Sequence, residues 1–247
     1  MLTSFRQGGR DFPTTRWSLI FAARRREEPS ARHALATLCE VYWRPAYAYV
    51  RRLGCTADEA QDLVQGFFTH VLEKPMWQSV DPERGRFRSL LRVSLAHFLS
   101  NERARQRAAK RGASMLVRLG NLQSAEAWCR LEPLQHNTPE QVYDRRWALL
   151  LLDRVMSLLQ AEFVRPGKAA LFEALQPHLT GDPDAAAYDH LAATLSMTEG
   201  AVRVAVHRLR RRYTALLRDE IGRTVATPDA IDDEIRYLRT VIGGGRS

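Results

Sequence analysis

The chain has 247 residues, 45% of them hydrophobic, enough for one large domain or two small ones with buried cores. Its 37 Lys and Arg outweigh 28 Asp and Glu, leaving a formal charge of +9; that balance favours polyanionic partners, and most of the cations are arginine, whose planar fork suits phosphates and base edges. Cys39, Cys55 and Cys129 form no CxxC pair and have no histidine at zinc-finger spacing, so they read as reduced thiols. No apolar run has the length of a secretion signal or a membrane span, so a cytoplasmic protein without membrane insertion is expected.

Helical periodicity dominates and strand alternation is missing, which predicts an all-α chain. Residues 1–13 form a leader. A first domain, 14–111, is broken between helices at Pro29, Gly54, Pro75 and the Asp81-Pro82-Glu83-Arg84-Gly85 turn. Residues 112–139, interrupted by Gly112, Gly120, Pro133 and Pro139, read as a linker. A second domain spans 140–220, and a C-terminal extension, 221–247, carries an amphipathic piece from Asp229 to Ile242. Two compact helical domains joined by a linker is the simplest organisation.

Within the first domain, Thr56-Ala57-Asp58-Glu59 fits a capping box and starts a helix with Leu63, Val64, Phe67, Phe68, Val71 and Leu72 on its buried side. Asp58, Asp62, Gln65 and Thr69 share the opposite stripe: a solvent face or a docking face for a protein. A metal-dependent nuclease using Asp58, Glu59 and Asp62 is the enzymatic alternative. No nucleophile–base pair, phosphate-cradling glycine loop or metal-ligand cluster accompanies those acids, so neither catalysis nor a metal nor a cofactor is expected. From Arg84 to Arg111 nine basic residues meet one acid, Glu102. Arg84, Arg86 and Arg88 surround Phe87, and the helix that follows sets Arg92, His97, Asn101 and Arg105 among its polar positions. Arginines with interleaved aromatics suit a single nucleic-acid strand; Phe87 as a plain core residue is the competing reading.

The second domain carries a helix-turn-helix. Tyr188–Leu195 is a short helix, Ser196-Met197 a turn, and Thr198 caps a second helix that opens on Glu199. On that helix Val202, Val206, Leu209 and Tyr213 make the buried stripe, while Arg203, His207 and Arg210 share another face and Arg208, Arg211 and Arg212 cover the rest. No acid offsets the arginines between Glu199 and Asp219, so the helix is expected to lie on duplex DNA.

With these residues in order, the chain resembles an RNA polymerase sigma factor of the sigma-70 family, extracytoplasmic-function (ECF) type. The resemblance covers both domains. It is carried by residues 38–49 and Ala60-Gln61-Asp62-Leu63-Val64-Gln65-Gly66-Phe67-Phe68, by Phe87-Arg88-Ser89-Leu90-Leu91-Arg92, and by 191–210. It implies that Asp58, Asp62, Gln65 and Thr69 bind the β′ clamp of core RNA polymerase. It implies that Arg84, Arg86, Phe87, Arg88, Arg92, His97, Asn101 and Arg105 capture the −10 promoter element. Thr198, Glu199, Arg203, His207, Arg208, Arg210 and Arg211 would read the −35 element, with this domain on the β flap. The sequence departs from the family's pattern at Gln61 and Gly66, where acids are common, at Leu90 in place of a tryptophan, at His97 in place of an asparagine, and at Ala205 in place of a basic residue. An acid-poor stripe implies a conditional hold on the polymerase. An anti-sigma protein is one expected regulator and a kinase acting at Thr56 or Thr69 another; the acidic tail from Asp229 to Glu234 is expected to cover a basic face in cis. The alternative function is an ordinary helix-turn-helix regulator whose first domain senses a ligand or dimerises.

Overall fold

The computed structural model describes residues 29–73, 86–108, 137–163, 168–179, 185–225 and 227–243. The leader, Pro75, the 81–85 turn with Arg84, Cys129 and all but the last residues of the expected linker lie outside them. The described residues are all-helical, with no strand: α1 (Pro29–Arg52), α2 (Ala57–Glu73), α3 (Phe87–Ala108), α4 (Pro139–Phe163), α5 (Ala169–Leu175) followed by a 3-10 turn, α6 (Ala185–Leu195), α7 (Glu199–Gly222) and α8 (Ala230–Gly243).

Two compact units result. The first in the chain comprises the described parts of Phe12–Leu150 together with Ile221–Ser247, and the second is Leu151–Glu220. The expected boundary between residues 139 and 140 therefore falls instead inside α4, and the extension belongs to the first unit. Pro139, expected to interrupt a helix, sits at the first position of α4, where its missing N–H has no intrahelical partner to lose. Thr138 and Gln141 close a capping box around it: the Thr138 amide donates to Gln141 Oε1 at 2.9 Å and the Gln141 amide to Thr138 Oγ1 at 3.3 Å.

In the first unit, α1, α2 and α3 pack through aromatic side chains. Tyr42 meets Phe87 edge-on with ring centroids 5.5 Å apart, Phe67 meets Phe98 at 5.7 Å, and Trp43 stacks on Phe68 at 6.0 Å. The first half of α4 joins them through Tyr143, edge-on to Tyr49, and through the Tyr49 hydroxyl, which donates to Glu140 Oε1 at 3.1 Å. Burial pushes the Cys39 thiol up to about 12, so that cysteine is an inert packing group. Gly54 ends the chain's turn out of α1 at φ +90°, where an added Cβ would meet no atom within 4 Å. Gly54→Ala therefore tests backbone strain alone and is expected to cost about 1 kcal/mol, read from urea denaturation.

In the second unit the last turns of α4 supply Val155 and Leu159, α5 supplies Phe172 and Leu175, α6 supplies Tyr188 and Leu191, and α7 supplies Val202, Val206, Leu209 and Leu216 to one core. The buried residues of α7 are the stripe its periodicity predicts, with Tyr213 partly buried beside them.

Candidate nucleic-acid interface

The turn between α6 and α7 is a Schellman motif. Ser196 takes a left-handed φ of 52°, the Met197 amide donates to the Ala192 carbonyl at 3.0 Å, and the Ser196 amide to the Ala193 carbonyl at 3.4 Å. Thr198 then caps α7 as expected, its Oγ1 accepting from the Ala201 amide at 3.3 Å. The result is a three-residue turn between two helices that share one apolar core, the construction that presents the outer face of α7.

That outer face differs from the expected one. Arg203 is folded back: its Nε and Nη2 donate to Glu199 Oε1 at 2.8 and 2.5 Å, and its guanidinium lies 4.2 Å from the Tyr188 ring centroid. The Glu199 hydrogen bond accordingly raises its pKa. Arg210 is half-buried and donates from Nε to the His178 carbonyl at 3.0 Å. Arg212 is held by Glu162 at 2.5–2.7 Å. Of the three residues expected to form the reading face, His207 alone stands exposed without such a tie. Beside it, Gly200, Val204, Arg208 and Arg211 complete an open surface within roughly 100° of the helix circumference. Val204 is 48% exposed. An exposed valine carries no charge signal in the sequence, yet an apolar side chain among arginines suits contact with a thymine methyl.

In the first unit the basic segment is split by the packing of α3. Phe87, Leu91, Leu95 and Leu99 are buried, and Arg88, which falls in the same sector of the helix, is buried with them at 3% exposure. The expectation that Phe87 and Arg88 are surface groups is corrected: Phe87 is a core residue and Arg88 is the centre of an ionic cluster buried with α8 in place. Arg88 Nε lies 3.3 Å from Asp144 Oδ1, its Nη1 pairs with Glu234 Oε1, and its guanidinium sits 4.7 Å from the Trp147 centroid and 5.0 Å from that of Tyr237. Burial lowers its pKa, opposed by the Asp144 carboxylate. Arg86, 30% exposed, binds the other oxygen of Glu234 at 2.5 Å. His97 and Asn101 are exposed on a face they share with Leu90 and Val93. Arg92 is half-buried on another side, and Arg105 is exposed and paired with Glu102 at 3.3 Å. The seven of these residues that the structure describes thus do not form one surface; His97 and Asn101 do.

On α2 the capping box is present. The Thr56 amide donates to Glu59 Oε2 at 2.8 Å and the Glu59 amide to Thr56 Oγ1 at 3.3 Å; the bonds from the Thr56 amide and hydroxyl to its carboxylate hold Glu59 below its ordinary range. Thr56→Ala is expected to destabilise the unit by about 1 kcal/mol in thermal denaturation. Asp58, Asp62 and Thr69 are exposed along one stripe. Gln65 departs from the expectation: it is 5% exposed, because the buried sector of α2 widens to about 160° and takes in Gln61 and Gln65 at its edge. Gly66 lies against Phe98, where an added Cβ would come to 3.4 Å.

No family model, curated protein or solved structure matches the chain. Among the described residues no group of three or more His, Cys, Asp or Glu could hold a metal ion, the Asp58–Asp62 stretch included, and no helix is long and apolar enough to cross a membrane.

Proposed function

We propose that this protein is a promoter-specificity factor of the ECF sigma type, which brings core RNA polymerase to DNA and opens the −10 element. The observation that carries the reading is the helix-turn-helix of Leu151–Glu220, with its Schellman turn, its Thr198 cap and an α7 face on which His207, Arg208 and Arg211 stand exposed around Val204. A helix so held fits the major groove with its N-terminal half at the base edges and its later arginines at phosphates. In this reading the −35 element is read by Val204, His207, Arg208 and Arg211, and Arg203 is positioned by Glu199 and Tyr188. The first unit then meets the −10 strand through the exposed side of α3, where His97 and Asn101 lie among apolar neighbours, and the β′ clamp through Asp58, Asp62 and Thr69. Opening needs no nucleotide hydrolysis in such a factor; binding of the unstacked strand offsets a few kcal/mol per flipped base.

Run-off transcription with core polymerase on genomic fragments tests this directly. Reproducible start sites that require the protein are the expected result. Duplex binding without transcription or polymerase association would replace it with the ordinary helix-turn-helix regulator.

A further inference from the structure

α8 is joined to the first unit by charge as well as by apolar contact. Of its residues only Glu234 and Leu238 are buried; Ile231, Ile235, Val241 and Ile242 are half-covered and Tyr237 is exposed by a third. Beside that apolar hold stands a dense polar one. Both carboxylate oxygens of Glu234 are taken by arginines, Arg86 and Arg88. The Tyr237 hydroxyl donates to Asp144 Oδ2 at 2.5 Å, and its ring lies 5.3 Å from the Arg86 guanidinium and 5.0 Å from that of Arg88. At the far end, Arg145 Nη1 donates to the carbonyls of Ile242 at 2.5 Å and Val241 at 3.4 Å, among the last carbonyls of the helix.

We propose that Glu234 occupies, in cis, an anion site formed by Arg86 and Arg88, and that the phosphate backbone of a single nucleic-acid strand competes with α8 for it. One carboxylate bridging two guanidiniums presents the charge and oxygen geometry that a phosphate presents. With α8 in place the two arginines meet Asp144 and Glu234; without it Asp144 alone remains, and the head of α3 gains an uncovered cationic charge, on a side of the helix apart from His97 and Asn101. α8 has 14 residues, short enough that a helix of its length is marginal once released, so displacement frees the whole segment rather than sliding it. The inference rests on the nucleic-acid reading of the first unit and adds to it the site's internal occupant.

The test uses the full chain and a labelled single-stranded oligodeoxynucleotide of mixed sequence, read by fluorescence anisotropy, with hydrogen exchange of the α8 amides followed in parallel. Glu234→Gln is expected to tighten binding about tenfold, because the ion pairs that hold α8 over the arginines are lost, and Tyr237→Phe by a smaller factor. In the unsubstituted protein, saturating oligonucleotide is expected to speed α8 exchange several-fold. Equal or weaker binding by folded variants, or α8 exchange that stays unchanged or slows with oligonucleotide bound, overturns the competition while leaving nucleic-acid binding intact. Binding by no form overturns the nucleic-acid reading and the competition together. If Glu234→Gln loses its near-ultraviolet circular dichroism, Tyr237→Phe and the exchange of the unsubstituted protein decide.

Discussion

Arg88→Ala is expected to destabilise the first unit by about 3–5 kcal/mol, measured by chemical denaturation with no DNA present. The substitution strips the cation from between two carboxylates that are themselves buried, Asp144 at 2% and Glu234 at 0% exposure. Glu234 is then left with Arg86 alone and Asp144 with the Tyr237 hydroxyl, in a medium where an under-compensated charge is costly. Truncation to alanine also empties the space against the Trp147 and Tyr237 rings, adding a packing loss to the electrostatic one. A cycle pairing Arg88→Ala with Glu234→Ala separates the two contributions: coupling of roughly 0.5–3 kcal/mol is expected, because the second change removes an acid that the first has left with one of its two arginines. If Arg88 acted only at a DNA surface, stability without DNA would hardly move.

The second large effect belongs to the exposed face of α7. Replacing Arg208 and Arg211 together by alanine is expected to weaken duplex binding by about 1–3 kcal/mol for each base edge that an arginine no longer reaches. If either arginine meets phosphate instead, the salt slope should fall by about one for each phosphate left unneutralised. Both side chains are exposed at the helix surface, so thermal stability should stay within about 0.5 kcal/mol of the unsubstituted protein. Arg210→Ala should invert that pattern, costing stability through the hydrogen bond to the His178 carbonyl while changing DNA affinity less. An affinity titration at two salt concentrations beside a urea melt distinguishes the two kinds of arginine.

The position of Arg88 was in fact written in the sequence. At about 100° per residue it falls between Leu95 and Leu99 on the wheel of α3, inside the apolar stripe begun by Phe87 and Leu91. Its charge, beside Arg84 and Arg86, points in the sequence toward a surface. What could not be read was the company that makes its burial tolerable: Asp144 lies 56 positions away and Glu234 a further 90, on helices whose mutual approach no local pattern encodes. The same holds for Arg203 and Arg210. Their helical phase was correct, but whether a long side chain reaches outward or folds onto Tyr188 or the His178 carbonyl depends on neighbours supplied by other elements.

The all-helical character, the caps at Thr56 and Thr198, the turn at Ser196-Met197 and the buried stripe of α7 were determined by the sequence itself, because each rests on residues within one or two helical turns of one another. The division of α4 between two units, the burial of Gln65, the withdrawal of Arg88 into the core and the seating of α8 were decided only by the tertiary structure. Those outcomes depend on which distant surfaces meet, and a buried charge is stable only where an opposite charge, contributed from elsewhere in the chain, arrives at the same point.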